Sequence, residues 1–304
     1  MKKIQILLST YNGEKYLEQQ LDSLLQQIHL DIEILVRDDG STDETLKILN
    51  RYRAHKNIKV MSERNIGVVK SFLNLISISS DTADYFAFCD QDDFWESDKL
   101  LRAVESLEEI PADVPAMYCS QAELVNENLE GIGRMPQLTH APSFANALVQ
   151  NIATGCTVVF NHAAKQVLLR RLPNSSNIIM HDWWVYLVVS AFGNVIYDPE
   201  PRILYRQHSS NSIGAKSSFI HKWVARLRQF INRGNRLFIT KQVEEFRDIY
   251  GSMLSPDYTT MLENFIDGRK TVTGRIRYAL SGEAYRQSAL DNIIFRILIV
   301  LNRI

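Results

Sequence analysis

Between residues 4 and 89, short apolar runs alternate with stretches that repeat apolar residues every three or four positions. Ile4–Leu8, Glu33–Val36, Ile58–Met61 and Tyr85–Cys89 read as strands. Between them, a helix starting near Asn12 sets Leu17, Leu21, Leu24 and Leu25 on one face. Asp43–Tyr52, capped by Ser41 or Thr42, and Val68–Ile78 read as two more helices. Alternation this regular, with connections this short, predicts a parallel sheet with helices on both faces. Ligands of such sheets bind outside the carboxyl ends of the strands.

Those ends carry the polar groups. Ser9-Thr10-Tyr11-Asn12-Gly13 follows the first strand, Asp38-Asp39-Gly40-Ser41-Thr42-Asp43 the second, and Arg64-Asn65-Ile66-Gly67 the third. Asp90, Asp92 and Asp93 follow the fourth. One such loop is ordinary turn chemistry, since Asp, Asn, Ser and Gly favour turns and caps. Four in succession on one edge predict an active-site rim.

Three carboxylates packed at a strand end repel one another unless water, a cation or a hydrogen-bonded ligand compensates. Oxygen ligands at that density suit a hard divalent ion, which in turn suits a phosphate ester. Asp90 and Asp92, two apart, divide naturally between ribose hydroxyls and a metal. Asp39 is placed to accept from a base N–H, and Tyr11 to stack on a ring. Asp38 and Asp93 have the alternative roles of capping and turn formation.

Beyond Trp95 the alternation loosens. Asp98–Leu107 reads as a helix capped by Ser97, and Ala116–Ser120 and Thr157–Phe160 as short strands. A second polar cluster, His181-Asp182-Trp183-Trp184, opens an apolar helix running to about Phe192. Val195–Tyr197 and Arg202–Tyr205 are strand-like, the latter ending in Arg206-Gln207-His208. Asp182 opens that helix, where the local role of a carboxylate is capping; a carboxylate at a site can also take the proton of a poorly nucleophilic hydroxyl.

In combination these segments resemble family 2 glycosyltransferases of the GT-A fold, an α/β class. The resemblance rests on Thr10-Tyr11-Asn12-Gly13, Asp38-Asp39-Gly40-Ser41-Thr42-Asp43 and Asp90-Gln91-Asp92-Asp93. His181-Asp182-Trp183-Trp184 and Tyr205-Arg206-Gln207-His208 are similar to the bacterial rhamnosyltransferase-type branch, and the likeness covers residues 4–214. It implies that Asp90-x-Asp92 is a DxD motif, with Asp90 towards ribose and Asp92 on Mg²⁺ or Mn²⁺. Thr10, Tyr11 and Asp39 would hold the base, Asn65 would lie by the nucleotide, and Gly155 would face donor and acceptor. Asp182 falls at the position of the catalytic base, His208 completes the metal shell, and Arg206 lies near the diphosphate. His181, Trp183 and Trp184 are the acceptor-side candidates. The family often has Glu-Asp where this chain has His181-Asp182.

The implied reaction is an inverting transfer from a nucleotide-sugar, by resemblance dTDP-L-rhamnose, onto a polyprenyl-linked saccharide of the cell surface. UDP-hexoses and UDP-N-acetylhexosamines are the donor alternatives. A sugar-nucleotide pyrophosphorylase would want a basic, glycine-rich triphosphate loop after the first strand, and no basic residue precedes Lys15 there. A non-catalytic nucleotide-sugar-binding scaffold would be expected to lack Asp92 or Asp182.

Charge divides the chain. Residues 1–214 hold 19 Lys/Arg and 27 Asp/Glu, whereas residues 215–304 hold 15 and 8. With the change in character after Ser217, this predicts a catalytic domain over 1–214 and a helical, basic extension over 215–304. Phe219, Trp223, Leu227, Phe230 and Ile231 interleave with Lys222, Arg226, Arg228 and Arg233, and a final helix is rich in Ile and Leu. Such a tail suits the surface of an anionic membrane, or packing on the body or on a second subunit of a homo-oligomer. Nucleic acid is not among the expected partners. Three widely spaced cysteines suggest reduced core residues. The short, interrupted run after Lys3 is no secretion signal, and no run approaches membrane-spanning length. The expected location is cytoplasmic, peripheral on the inner membrane face.

Overall fold

Strand β1 (Lys3–Thr10) illustrates how the sheet is built. Ile4, Ile6 and Leu8 point into one apolar cluster and Leu7 into the other, the period-two alternation of a strand covered on both faces. A computed structural model describes residues 1–208 and 238–304. β2 (Asp31–Asp38), β3 (Ile58–Ser62) and β4 (Tyr85–Cys89) complete the parallel set. Helices α1 (Leu17–Leu25) and α2 (Thr45–Tyr52) join one face, and α3 (Val68–Ile78) covers the other. The first helix begins five residues later than expected because Asn12 takes a left-handed φ of 48° and Gly13–Tyr16 form a turn. Ser41 does not cap α2, because its hydroxyl donates to Asp38 at 2.5 Å.

β5 (Phe94–Trp95) and α4 (Lys99–Glu108) follow, then β6 (Ala116–Ser120), β7 (Glu123–Val125) and β8 (Gly131–Arg134). After α5 (Phe144–Ala147), Gly155–Thr157 make a short 3₁₀ turn before β9 (Val159–Asn161), α6 (His162–Leu169) and α7 (His181–Phe192). β10 (Asn194–Asp198) and β11 (Ile203–Arg206) end this part. The main sheet runs β10-β6-β9-β4-β1-β2-β3. It is parallel except for β9, which runs antiparallel to both β4 and β6. A smaller sheet, β5-β11-β7-β8, sits beside the end of β4. Parallel pairing sets Thr10 level with Asp38, and Asp38 level with Ser62. Register therefore delivers the loops after β1, β2 and β3 to one edge.

Four helices lie beyond residue 237: α8 (Phe238–Tyr250), α9 (Pro256–Ile266), α10 (Val272–Ser281) and α11 (Ala289–Val300). The expected boundary at 214/215 and the stripe over 219–233 fall outside the described residues. α8 sends Ile239, Val243, Phe246 and Tyr250 into the same apolar cluster as α7. Gly282, with φ of +70°, ends α10 and divides the apolar stretch after Gly268 into two helices. Among the described residues no helix is long and apolar enough to cross a membrane.

Candidate active site

The loops after β1, β2 and β4 are held by side chains that substitute for backbone. Between the two acids of Asp90-x-Asp92, Gln91 accepts from Tyr11 N at 2.8 Å and donates to Tyr11 O at 3.0 Å. A Cβ at Gly13 would fall on the Gln91 amide, so glycine there makes room for the clamp. Asn12 Oδ1 accepts from Thr42 N at 2.8 Å, tying the first loop to the second. Tyr11 keeps its ring half exposed, as a stacking platform requires. Thr10 differs: it is buried, and its hydroxyl donates to Asp38 at 3.1 Å.

Asp39 is buried and already has three protein donors. Arg37 Nη1 lies 2.6 Å from Oδ1, and the backbone N–H groups of Ile66 and Gly67 each donate at 2.9 Å. Its carboxylate thus shapes the 63–67 loop, with Gly67 N bonded to the Oδ2 side. Asn65 is exposed on that loop and close to Gly40, where a Cβ would lie 2.9 Å from Asn65 N. Asp38 accepts from Thr10 and twice from Ser41, the local structural role expected of it.

At the end of β4, burial pushes Asp90 up to about 7, with the charges of Asp92 and Asp182 adding to the shift. The fold thus sets Asp90 and Asp182, some ninety residues apart in sequence, close enough to repel each other. Asp92 Oδ2 lies 2.9 Å from His208 Nε2, and Tyr16 packs against the imidazole with ring centroids 4.9 Å apart. Asp93 is fully buried and accepts from Arg206 N at 3.0 Å. Burial and the neighbouring acids hold its carboxyl well above the usual range, and the Cys156 thiol lies beside it.

Two carboxylate clusters could receive a cation. Asp90, Asp93 and Cys156 place ligand atoms within 4.8 Å of one another. The thiol and Asp93 are both fully buried, which suits a neutral internal pair better than a hard ion. Asp92 and His208, half-buried at the rim, offer oxygen and nitrogen side by side and fit Mn²⁺ or Mg²⁺ better.

Arg206 differs from its sequence-based placement by the diphosphate. Its guanidinium is 1% exposed and donates to Asp92 O at 2.8 Å, Gln19 Oε1 at 2.8 Å and Glu127 O, with its face over Tyr16. It braces the 92–93 loop from beneath.

α7 carries the remaining candidates. Asp182 is 6% exposed, and Oδ1 accepts from Trp183 N at 2.6 Å. Met180, not Asp182, is the N-cap residue. Burial raises Asp182 to about 6, opposed by Trp183 N and by the nearby Asn151 and Gly155 N. A carboxylate poised there is charged at neutral pH yet basic enough to take a proton. Gly155 abuts it: a Cβ would lie 3.3 Å from His181 Nε2 and 3.6 Å from Asp182 Oδ2. His181 stacks on Phe72 at 3.8 Å and meets the edge of Phe88 at 4.8 Å. Burial drives its pKa down to about 3, and neither ring nitrogen has a protein hydrogen-bond partner. His181 is thus a neutral imidazole, buried beside Asp182 with its hydrogen-bonding capacity unspent.

The two tryptophans correct an expectation. Trp184 is wholly buried, facing Phe246 and Tyr250, and Trp183 donates its indole N–H to Ala147 O at 2.7 Å. Neither forms a sugar-stacking wall, because α7 is buried on nearly every side. Sequence reading also missed Gln91, Arg37 and Asn151. Only Arg37 left a signal, a cation inside an otherwise apolar strand.

Comparison with known proteins supplies the remaining context. The family profile described as Glycosyl transferase family 2 matches residues 5–172. Over 307 aligned residues the chain is 28% identical to the dTDP-rhamnosyl transferase RfbG of Shigella flexneri, covering 97% of this chain and 99% of that one. Among solved structures, Staphylococcus aureus TarS 1–349 in complex with UDP-GlcNAc superposes with a TM-score of 0.58 at 16% identity, covering 100% of this chain and 87% of that one. The mannosyltransferase PcManGT from Pyrobaculum calidifontis, in complex with GDP-Man and Mn²⁺, gives 0.51 at 14% identity, covering 98% and 86%. The chain belongs to glycosyl transferase family 2 and has the GT-A fold.

Proposed function

We propose that this family 2 glycosyltransferase moves L-rhamnose from dTDP-L-rhamnose, with inversion, onto a hydroxyl of a polyprenyl-linked glycan at the cytoplasmic face of the membrane. The observation that carries the reading is the convergence of Asp92 and His208 with a buried, up-shifted Asp182 beside Gly155. Similarity to RfbG along almost the whole chain supports the donor.

In this reading the exposed Tyr11 ring stacks on the base, Asp39 and Asn65 line its edge, and Asp90 bonds the ribose. Thr10 contributes by holding the loop that presents Tyr11. Asp92 and His208 would hold Mg²⁺ or Mn²⁺, which when bound neutralises charge on the leaving diphosphate. Asp182 accepts the proton of the acceptor hydroxyl as that oxygen attacks the anomeric carbon. His181 orients the hydroxyl or its neighbour. One base and one displacement invert the anomeric centre.

The test is a donor panel with purified protein, a synthetic polyprenyl-linked acceptor and Mg²⁺ or Mn²⁺, with a chelator control. Transfer from dTDP-rhamnose that stops with chelator supports the proposal. Exclusive use of UDP-N-acetylglucosamine, the sugar nucleotide in the TarS complex, would replace the donor and leave the chemistry intact. Nucleotide binding without turnover of any donor would favour a scaffold.

A further inference from the structure

α10 and α11 are apolar on two faces. Their inner residues, Tyr278, Ala279, Phe295 and Ile299, belong to the core. On the outer face of α10, Val272, Ile276 and Leu280 recur every fourth residue, and Ile293, Ile297 and Leu301 do the same along α11. All six are between 44% and 75% exposed. Residues four apart share a helix face. The two stripes meet across a groove of about 300 Å³ bordered by Ile276, Leu280, Ile297 and Leu301. A continuous aliphatic face of this kind on a folded protein marks an interaction site.

Charge and composition indicate the occupant. Residues 272–304 hold five arginines against Glu283 and Asp291. Arg277 and Arg303 are exposed, while Arg275 and Arg296 are half-buried beside the stripes. We propose that the outer face of α10 and α11 docks into the headgroup–acyl boundary of an anionic phospholipid bilayer. Protein interfaces concentrate aromatic residues and Met at their centres, whereas this face offers Val, Ile and Leu. A second copy docking through the same face would bring like charges together; an anionic bilayer supplies an apolar phase edged with opposite charge. Helices of 10 and 12 residues are too short to span and suit lying in the interface.

The face is tied mechanically to the active site. Gln287, just before α11, donates its N–H to Gln150 Oε1 at 2.7 Å and accepts from His140 N at 2.8 Å. The next residue along from Gln150, Asn151, lies close enough to Asp182 to lower its pKa. Docking would therefore fix the height of the candidate base above the bilayer that carries a lipid-linked acceptor. This deepens the lipid-linked part of the proposed function. The test uses neither donor nor acceptor, so its failure is distinguishable from failure of the transferase reading.

The full chain is floated with vesicles of phosphatidylcholine containing one-third phosphatidylglycerol, and with phosphatidylcholine alone. The expected result is recovery with the anionic vesicles and several-fold less with the neutral ones. Ile276→Glu with Ile297→Glu lowers the vesicle-bound fraction about tenfold while nucleotide binding and the circular dichroism spectrum stay unchanged. Arg277→Glu with Arg303→Glu removes the preference for anionic lipid. Equal flotation of wild type and the double glutamate variant overturns the proposal. So does a concentration-dependent dimer that this variant dissociates while wild type binds no vesicles.

Discussion

His208 Nε2 lies 2.9 Å from Asp92 Oδ2, although 116 residues separate them in sequence. β11 brings the imidazole there by running antiparallel to β5, directly after the acidic loop, so the smaller sheet brings the far end of the catalytic region back to β4. The pair is the candidate cation site at the rim.

Asp92→Asn should lower transfer by about a hundredfold or more, the scale of losing one strong electrostatic stabiliser of a leaving group. His208→Ala should cost less at saturating Mn²⁺ and raise the metal concentration needed for half-maximal rate. Titrating Mn²⁺ against released nucleoside diphosphate measures both. An unchanged metal midpoint in His208→Ala would remove His208 from the metal shell.

Asp182→Asn should reduce transfer by about 10²–10⁴, the usual worth of a general base, and leave donor binding by calorimetry intact. In wild type, kcat/KM should fall tenfold per pH unit below about 6, where Asp182 takes up a proton, and be level above it. The native state binds this proton more tightly than the unfolded chain does, so Asp182 makes stability decline as pH rises from about 4 to 6. Asp182→Asn removes that cost and should stabilise the protein above pH 6 by up to ~3 kcal/mol. Thermal melts of both proteins at low and neutral pH would expose the wrong sign if burial is not the cause.

Gly155→Ala puts a methyl 3.3 Å from His181 Nε2, tight enough that the imidazole must shift. Turnover should fall at least tenfold, with a stability loss of about 1–2 kcal/mol, on the scale of overpacking. His181→Asn, retaining a neutral hydrogen-bonding side chain, should change acceptor KM more than donor KM. Equal effects on the two KM values would place His181 outside the acceptor subsite.

Gly13→Ala should dislodge the Gln91 amide from Tyr11. The expected outcome is about tenfold weaker nucleotide binding, because two hydrogen bonds of about 1 kcal/mol each position the Tyr11 loop. Adding Gln91→Ala should cost little further, since both changes break the same clamp. Additive losses in this double-mutant cycle would refute the coupling.

Trp184→Ala should cost about 3–5 kcal/mol of stability, the range for deleting a buried aromatic. Acceptor KM of the folded fraction should hardly move. A chemical denaturation curve alongside acceptor titration separates the two effects.

Much of the architecture was legible in order of appearance. Period-two and period-3.6 patterns located β4 and α3 to the residue, and β1, β2 and β3 to within two residues at each end, because each must bury an apolar face. Helix starts were less legible. Asn12 looks like a helix start and Ser41 like a cap in one dimension, but their polar atoms are spent on loop contacts. The aromatic pair at 183–184 misled for a related reason. Its spacing suits either a sugar platform or a core helix, and only the packing of α8 against α7 distinguishes them.

The sequence by itself determined which residue types each strand end delivers and the family to which the chain belongs. These depend on local pattern and order, and survive in one dimension. Tertiary structure alone decided how each carboxylate is used. Asp38, Asp39, Asp90, Asp92, Asp93 and Asp182 are chemically alike. They differ in burial and partners: Asp38 is consumed by its loop, Asp39 is held by Arg37 and the 63–67 backbone, Asp93 is sealed in beside Cys156, Asp92 faces His208, and Asp182 is raised by desolvation. Solvation and contacts between residues from 2 to 116 apart set these differences, and a linear pattern encodes neither directly.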